Sequence, residues 1–464
     1  MNASSPAAPD AAKTRMGWVH IGIGAFFRAH GAVYLQAADS AGKWHLQGVS
    51  LRSPDVRDAL AAQGFNYTVA ALSAQGIDTQ TVSILDDVLV APEDPESVLK
   101  TLVDPAVKVV SLTVTEKGYC RAGNSRKLDL SNPDITHDLS AAHPRSMPGF
   151  LVRALQRRYE AGDAPFTVVS LDNLPSNGEV TRSVILDFAQ YLGPNLANWI
   201  SENGCFPNSM VDRIVPRLTP EHRSQVSAVT QRDEAGLVVC EPFGQWVMED
   251  DFVGGLRPAL ERAGVQLTND VEAFERMKLR MLNGTHSALA YLGVLAGFDT
   301  VFEASNDPTL ADFLDRLWNE ELIPTIAPPP PGMDLGAYAS ALLERYRNPG
   351  IAHQLQQIAM DGSQKLPQRI LDPLFENHRA GRACDGLLRV LAGWMVFVRT
   401  QVEAGKTLSD PLQEVLAQAV RQSRTPKAMV DALLSIEAVF GAYPVEAIRD
   451  DLTARVVQWA EWGD

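Results

Sequence analysis

Cysteine is scarce and scattered in this chain. Cys120, Cys205, Cys240 and Cys384 form no CxxC pair. That excludes a zinc-finger spacing and a disulfide framework, and it suits reduced thiols in a cytoplasmic protein. Positive charge is outnumbered: 41 Lys and Arg stand against 56 Asp and Glu, a net charge of -15. This balance offers no general attraction for phosphate backbones, so nucleic acid is not an expected partner. Long apolar runs are missing as well. No stretch reaches the roughly 18 residues that a membrane-spanning helix needs, so no membrane association is expected. Residues 1–15, MNASSPAAPDAAKTR, lack the apolar centre of a signal peptide and read as a flexible leader.

The remaining composition is that of a globular protein. The chain has 464 residues, 45% hydrophobic and 21% charged, enough for two or three domains. Short β-branched runs alternate with helical patterns in its first part. Strands are expected at 18–23, 44–51, 108–115 and 166–170, with helices at 26–41, 55–63 and 148–159. Such alternation predicts a Rossmann-like, doubly wound α/β domain over residues 16–270. From 271 to 464 strand-like runs vanish, and a mainly helical domain is expected. The tetraproline run Pro328–Pro331 marks a loop inside it.

The stretch VHIGIGAFFRAH (19–30) ends an apolar strand in Gly22-Ile23-Gly24. In a dinucleotide-binding turn the first glycine permits the bend and the second lets a pyrophosphate approach the backbone. A third, at position 27, would serve helix–strand packing. Phe27 stands there instead. A plain structural turn is the competing reading of a lone GxG. Arg28 falls in the first helical turn, where it either reaches a phosphate or is a solvated charge. After the second strand, Arg52 suits a 2′-phosphate and Asp55 a free ribose, which leaves both NAD and NADP open.

A second constellation lies in ERMKLRMLNGTHSALAY (275–291). At about 100° per residue, Glu275, Lys278, Asn283 and His286 share an arc of roughly 140°. Met277, Met281, Leu282 and Leu289 surround them, which predicts a largely buried helix. A buried lysine must be paired or have a lowered pKa, and a lowered pKa suits a general base. The segment Ser170–Gly178 (SLDNLPSNG) follows a strand at its carboxyl end, where doubly wound folds bind ligands. It is equally readable as an Asn/Pro/Gly turn. Asp212 and Arg213 also sit among apolar residues, and a mutual salt bridge would explain both.

Taken together, GxGxFxRAH, DNxxxNG, MVDRI, EPFxQW and KxxxxNxxH resemble the polyol-specific long-chain dehydrogenases, the mannitol dehydrogenase family. The motifs run from position 20 to about 373. SLTVTEKGYC (111–120) and QIAMDGSQKLPQRILDP (357–373) look most like the fructuronate reductase, or D-mannonate oxidoreductase, branch. The resemblance implies an oxidoreductase that uses NAD, with NADP still open, and needs no metal. It implies Lys278 as general base, Asn173 and Asn283 as oxyanion donors, and His286 as the group orienting substrate. Glu275 and Asp212 would pass the proton to solvent. Phe26 and Arg28 stand where the family's own cofactor turn has them. The implied partner is a small sugar acid or polyol, bound by a monomer or weak oligomer. Lys365 and Arg369 are the cations expected to hold a substrate carboxylate, and they would serve hydroxyls equally. A neutral-polyol dehydrogenase is the competing enzyme. A non-catalytic sugar or nucleotide sensor is the competing non-enzyme.

Overall fold

The computed structural model describes residues 15–123, 125–351 and 353–460. The expected leader therefore lies outside the described residues except for Arg15. The chain divides into two compact units, Met1–Val271 and Glu272–Asp464.

The first unit is built on five parallel strands. They are β1 (Met16–Ile21), β2 (Trp44–Ser50), β5 (Leu85–Val90), β6 (Val107–Leu112) and β7 (Thr167–Ser170), in the order β5-β2-β1-β6-β7. Every neighbouring pair is parallel. Side chains alternate across the sheet, as the twofold period of a strand requires. Val19, Ile21, Val110 and Leu112 join Phe150, Leu151, Val184 and Phe188 in one core. Trp18, Leu46, Val88, Val109 and Val169 join Phe27, Leu35 and Trp246 in the other. The strand order reverses between β1 and β6, and ligands of doubly wound sheets bind in the crevice at such a switch point.

Two small sheets accompany the main one. One joins β4 (Gly76–Val82), β3 (Tyr67–Ser73) and β9 (Val238–Cys240). The other joins β11 (Gln266–Leu267), β10 (Gln245–Met248) and β8 (Ser209–Asp212). Neither was expected: β8, β9, β10 and β11 have only two to four residues, too short to show a periodicity, while the seven-residue strands β3 and β4 were missed.

The helix expected at 26–41 is two helices, α1 (Ala25–Ala29) and α2 (Gly31–Ala38). The break is at His30 (φ -124, ψ -82), whose Nε2 lies 2.9 Å from the Gln245 carbonyl.

The second unit is helical. Among its described residues there is no strand, only an isolated bridge between Thr300 and Gln354. Its longest helix, Asp385–Glu403, buries Leu387, Leu391, Trp394, Met395 and Val398. It packs against the helices Gly284–Leu295 and Arg449–Ala460. No helix among the described residues is long and apolar enough to cross a membrane.

Candidate active site

The glycine turn sits at the switch point. Gly22 has φ +98, a conformation open mainly to glycine, and an added Cβ would overlap the Thr113 carbonyl. Gly24 differs. Its φ is -76, and a Cβ there would meet nothing nearer than the Gly22 carbonyl at 3.8 Å. Nothing in the fold demands glycine at 24, and the space beside it is open. Phe27, at the expected third-glycine position, is fully buried. The small residue has moved to Gly31, where a Cβ would overlap the Phe27 ring.

The β6 and β7 ends complete this rim. Thr113 N donates to Ile21 O (3.0 Å) and Thr113 Oγ1 to Gly22 O (2.6 Å). Thr115 has φ +64, rare for a β-branched residue, and Asp172 holds it there by accepting from Val114 N (3.0 Å) and Thr115 N (2.9 Å). Tyr119 also donates to Asp172, at 2.7 Å. Asn173 is exposed on the loop that leaves β7. Asn177 shapes that loop by donating to Ser170 O (3.1 Å) and Ser209 O (2.8 Å). Sequence reasoning missed Thr113, Asp172 and Asn177 as organisers. Their signal lay in SLTVT and SLDNLPSNG, which carry the carboxyl ends of the neighbouring strands β6 and β7.

Other expected residues in this unit have different surroundings. Arg28 donates to Gly236 O (2.7 Å) and lies 5.6 Å over the Tyr67 ring. These contacts join α1 to Tyr67 of β3 and to Gly236, just before β9. Phe26 stacks on His30 with ring centres 5.1 Å apart. Asp55 is exposed at the start of the helix Asp55–Ala61 and accepts from Ser53 Oγ (2.8 Å). Asp212 is buried at the end of β8, opposite Gln245. Arg213 donates to the carbonyls of Ala29 (2.6 Å) and Glu241 (3.1 Å).

In the second unit, the helix carrying Lys278 is not a regular α-helix. Lys278–Asn283 is π-helical, between α-helices Val271–Met277 and Gly284–Leu295. In an α-helix two residues five apart point about 140° away from each other. The i→i+5 pattern of a π turn stacks them instead, so Lys278 and Asn283 share a face more closely than α spacing allows. Such a turn also disturbs the regular carbonyl ladder, and side chains fill in. Met281 O accepts from Trp318 Nε1 (3.0 Å), and Leu282 O accepts from Tyr346 Oη (3.0 Å). Arg280, on the buried side, pairs with Glu376 and donates to Thr325 O (2.6 Å).

Glu275, Lys278 and Asn283 are half-buried rather than enclosed, because the polar stripe faces an accessible side of the helix. His286 is buried. Burial first, then His353, Arg345, Arg369 and Lys278, holds its imidazole well below the ordinary pKa, so it is neutral. Its Nε2 has no hydrogen-bond partner among the described residues. Tyr346 packs on it at 4.8 Å and His353 edge-on at 5.5 Å. Arg345, Tyr346 and His353 were not anticipated; they lie outside any motif and join His286 only through tertiary packing.

The two expected carboxylate-binding cations have different partners. Lys365 donates to Met360 O (2.6 Å) and Ile358 O (3.3 Å), carbonyls around a helix end. Arg369 lies in another π segment, Pro367–Leu371, packed against Lys278–Asn283. It makes two long bonds, to Ser287 Oγ (3.3 Å) and Asn283 O (3.4 Å). Its guanidinium is largely desolvated and has no carboxylate partner among the described residues. No group of three His, Cys, Asp or Glu side chains among the described residues is placed to hold a metal ion.

Comparison with known proteins accounts for both units. Residues 16–262 match the mannitol dehydrogenase Rossmann domain and residues 270–459 the mannitol dehydrogenase C-terminal domain. The chain belongs to the mannitol dehydrogenase family. It is 44% identical over 432 residues to the uncharacterized oxidoreductase YeiQ of Escherichia coli (strain K12), covering 91% of this chain and 87% of that one. Identity to the D-mannonate oxidoreductase of the same organism is 42% over 433 residues, covering 91% and 88%. A solved structure of Pseudomonas fluorescens mannitol 2-dehydrogenase, in ternary complex with NAD and D-mannitol, superposes with a TM-score of 0.82 at 37% identity, covering 97% and 92%. As a member of the mannitol dehydrogenase family, the protein is an oxidoreductase acting on CH–OH groups, with the Rossmann-like and helical parts expected from its sequence.

Proposed function

We propose that the protein interconverts D-mannonate and D-fructuronate with NAD, by hydride transfer at C2 and without a metal. The observation that carries the sugar-acid reading is Arg369. A desolvated guanidinium with only two long bonds to neutral oxygens is an incomplete site, and a substrate carboxylate would complete it. The 42% identical D-mannonate oxidoreductase supports the same reading. Oxidation of a neutral polyol is the second reading, favoured by the D-mannitol in the Pseudomonas structure.

Bound NAD supplies the hydride acceptor. In the oxidising direction the Lys278 amine takes the C2 hydroxyl proton as the hydride leaves C2. Asn173 and Asn283 donate hydrogen bonds to the developing alkoxide, an effect often worth about 3 kcal/mol per donor. Neutral His286 offers its unpartnered Nε2 to a substrate hydroxyl. Glu275 and Asp212 carry the proton onward, and in the reducing direction Lys278 returns it.

The cofactor reading rests on the open space beside Gly24. Gly24→Val is expected to raise the KM for NADH by about tenfold or more with little change in melting temperature. Gly22→Ala is expected to lower the melting temperature by several degrees, through strain at φ +98. Initial rates and thermal melts check both. An unchanged KM in Gly24→Val would place the dinucleotide elsewhere.

The substrate is tested in the wild-type protein by NADH oxidation with fructuronate and with fructose. A kcat/KM at least about tenfold higher for fructuronate is expected, since one charge-assisted contact is worth over about 1.4 kcal/mol. A preference for fructose would establish the polyol reading.

A further inference from the structure

We propose that His20, stacked on Phe27, is a positioning residue that takes the place of the missing third glycine and holds the Gly22–Gly24 turn in its cofactor-binding shape. This rests on the reading that a dinucleotide occupies that turn.

A third glycine normally lets the helix approach the strand. Here the approach is made by two flat rings. The Phe27 ring of α1 lies on the His20 imidazole of β1, with centres 3.3 Å apart and planes 4° from parallel. Both residues are fully buried.

The imidazole is wired to both sides of the switch point. Trp18 Nε1 donates to Ser111 Oγ (2.6 Å), which lies 2.8 Å from His20 Nδ1. His20 Nε2 lies 2.9 Å from Thr113 Oγ1 and 3.2 Å from Gly22 O. The directions follow from the donor inventory. The Thr113 hydroxyl proton goes to Gly22 O, at 2.6 Å. Thr113 Oγ1 must then accept from His20, which puts the imidazole proton on Nε2. Nδ1 is left as an acceptor for the Ser111 hydroxyl. The chain runs Trp18, Ser111, His20, Thr113, Gly22 and is satisfied at every step. It needs a neutral imidazole, and burial lowers the His20 pKa to about 3.

The consequence is mechanical. Gly22 has no side chain to fix it, yet its carbonyl is held by the Thr113 hydroxyl and the His20 N–H. The same carbonyl accepts from Gly24 N (2.6 Å), so pinning it fixes the Gly22–Ile23 peptide and anchors Gly24 with its open face.

The test compares Thr113→Val, Thr113→Ser, His20→Gln and Gly24→Val in the full-length protein. Measurements are KM for NADH, KM for the sugar substrate, kcat, NADH affinity by fluorescence titration, and melting temperature. Thr113→Val and His20→Gln are expected to raise the NADH KM and Kd by about tenfold, with the sugar KM within about twofold of wild type. Thr113→Ser, which keeps the hydroxyl, is expected to bind NADH as wild type does. If His20→Gln does not fold, the Thr113 pair decides. An unchanged NADH KM in Thr113→Val, beside a raised one in Gly24→Val, overturns the inference and leaves the cofactor reading intact. If Gly24→Val is also without effect, it is the cofactor reading that fails. Parallel loss of NADH affinity, sugar affinity and melting temperature in Thr113→Val, or no rescue by Ser, would make the network merely structural and overturn the proposal.

Discussion

Lys278→Ala is expected to lower kcat by at least about 100-fold while NADH still binds with wild-type affinity. A positioned proton donor or acceptor is usually worth about 100-fold or more, and an alanine side chain can neither take nor return the proton. Cofactor affinity is expected to survive because the glycine turn and Lys278 belong to different compact units of the chain. Single-turnover rates with NADH, together with an NADH fluorescence titration, separate the two effects. Retention of more than about a tenth of wild-type kcat would remove Lys278 from the role of base. On the same reading EDTA leaves activity unchanged, and loss in EDTA reversed by zinc would replace the lysine mechanism with a metal one.

Arg369→Lys is expected to reduce kcat/KM for fructuronate at least about tenfold more than for fructose. The reasoning is geometric. A guanidinium presents a planar fork that can hold both oxygens of a carboxylate, whereas an ammonium at the end of a flexible four-carbon stem offers a point charge. A change that keeps charge but removes the fork therefore separates recognition of a carboxylate from general electrostatics. Arg369 also touches the Asn283 carbonyl and the Ser287 hydroxyl, so some loss on both substrates is expected through the π segment. The ratio of the two losses is the readout. Equal losses would show that Arg369 supports Asn283 and does not read the carboxylate, whereas a wild-type preference for fructose would leave the polyol reading standing.

The sequence by itself determined the architecture of this protein. The runs at 18–23, 44–51, 108–115 and 166–170 each contain a strand of the parallel sheet, and their short apolar text between helical patterns reports that directly. The change of pattern near 271 lies where one compact unit gives way to the next. Gly22 was legible because φ +98 is open mainly to glycine, and the family motifs were legible because they are contiguous.

Tertiary structure alone decided three things. The first is the fate of each cation. Arg28 and Arg369 read alike as isolated arginines near a site, but one contacts Gly236 O and the Tyr67 ring while the other is half-buried with no carboxylate partner among the described residues. Which carbonyls and rings surround a guanidinium depends on residues far away in the chain. The second is the π segment at Lys278–Asn283, which α-helical periodicity cannot foresee. Its carbonyls are taken up by Trp318 and Tyr346, some 37 and 64 residues further on. The third is the answer to Phe27. Sequence showed only that a glycine was missing. The packing showed a ring lying on His20 and the small residue displaced to Gly31, because a helix can approach a strand through matched flat surfaces as well as through an absent side chain.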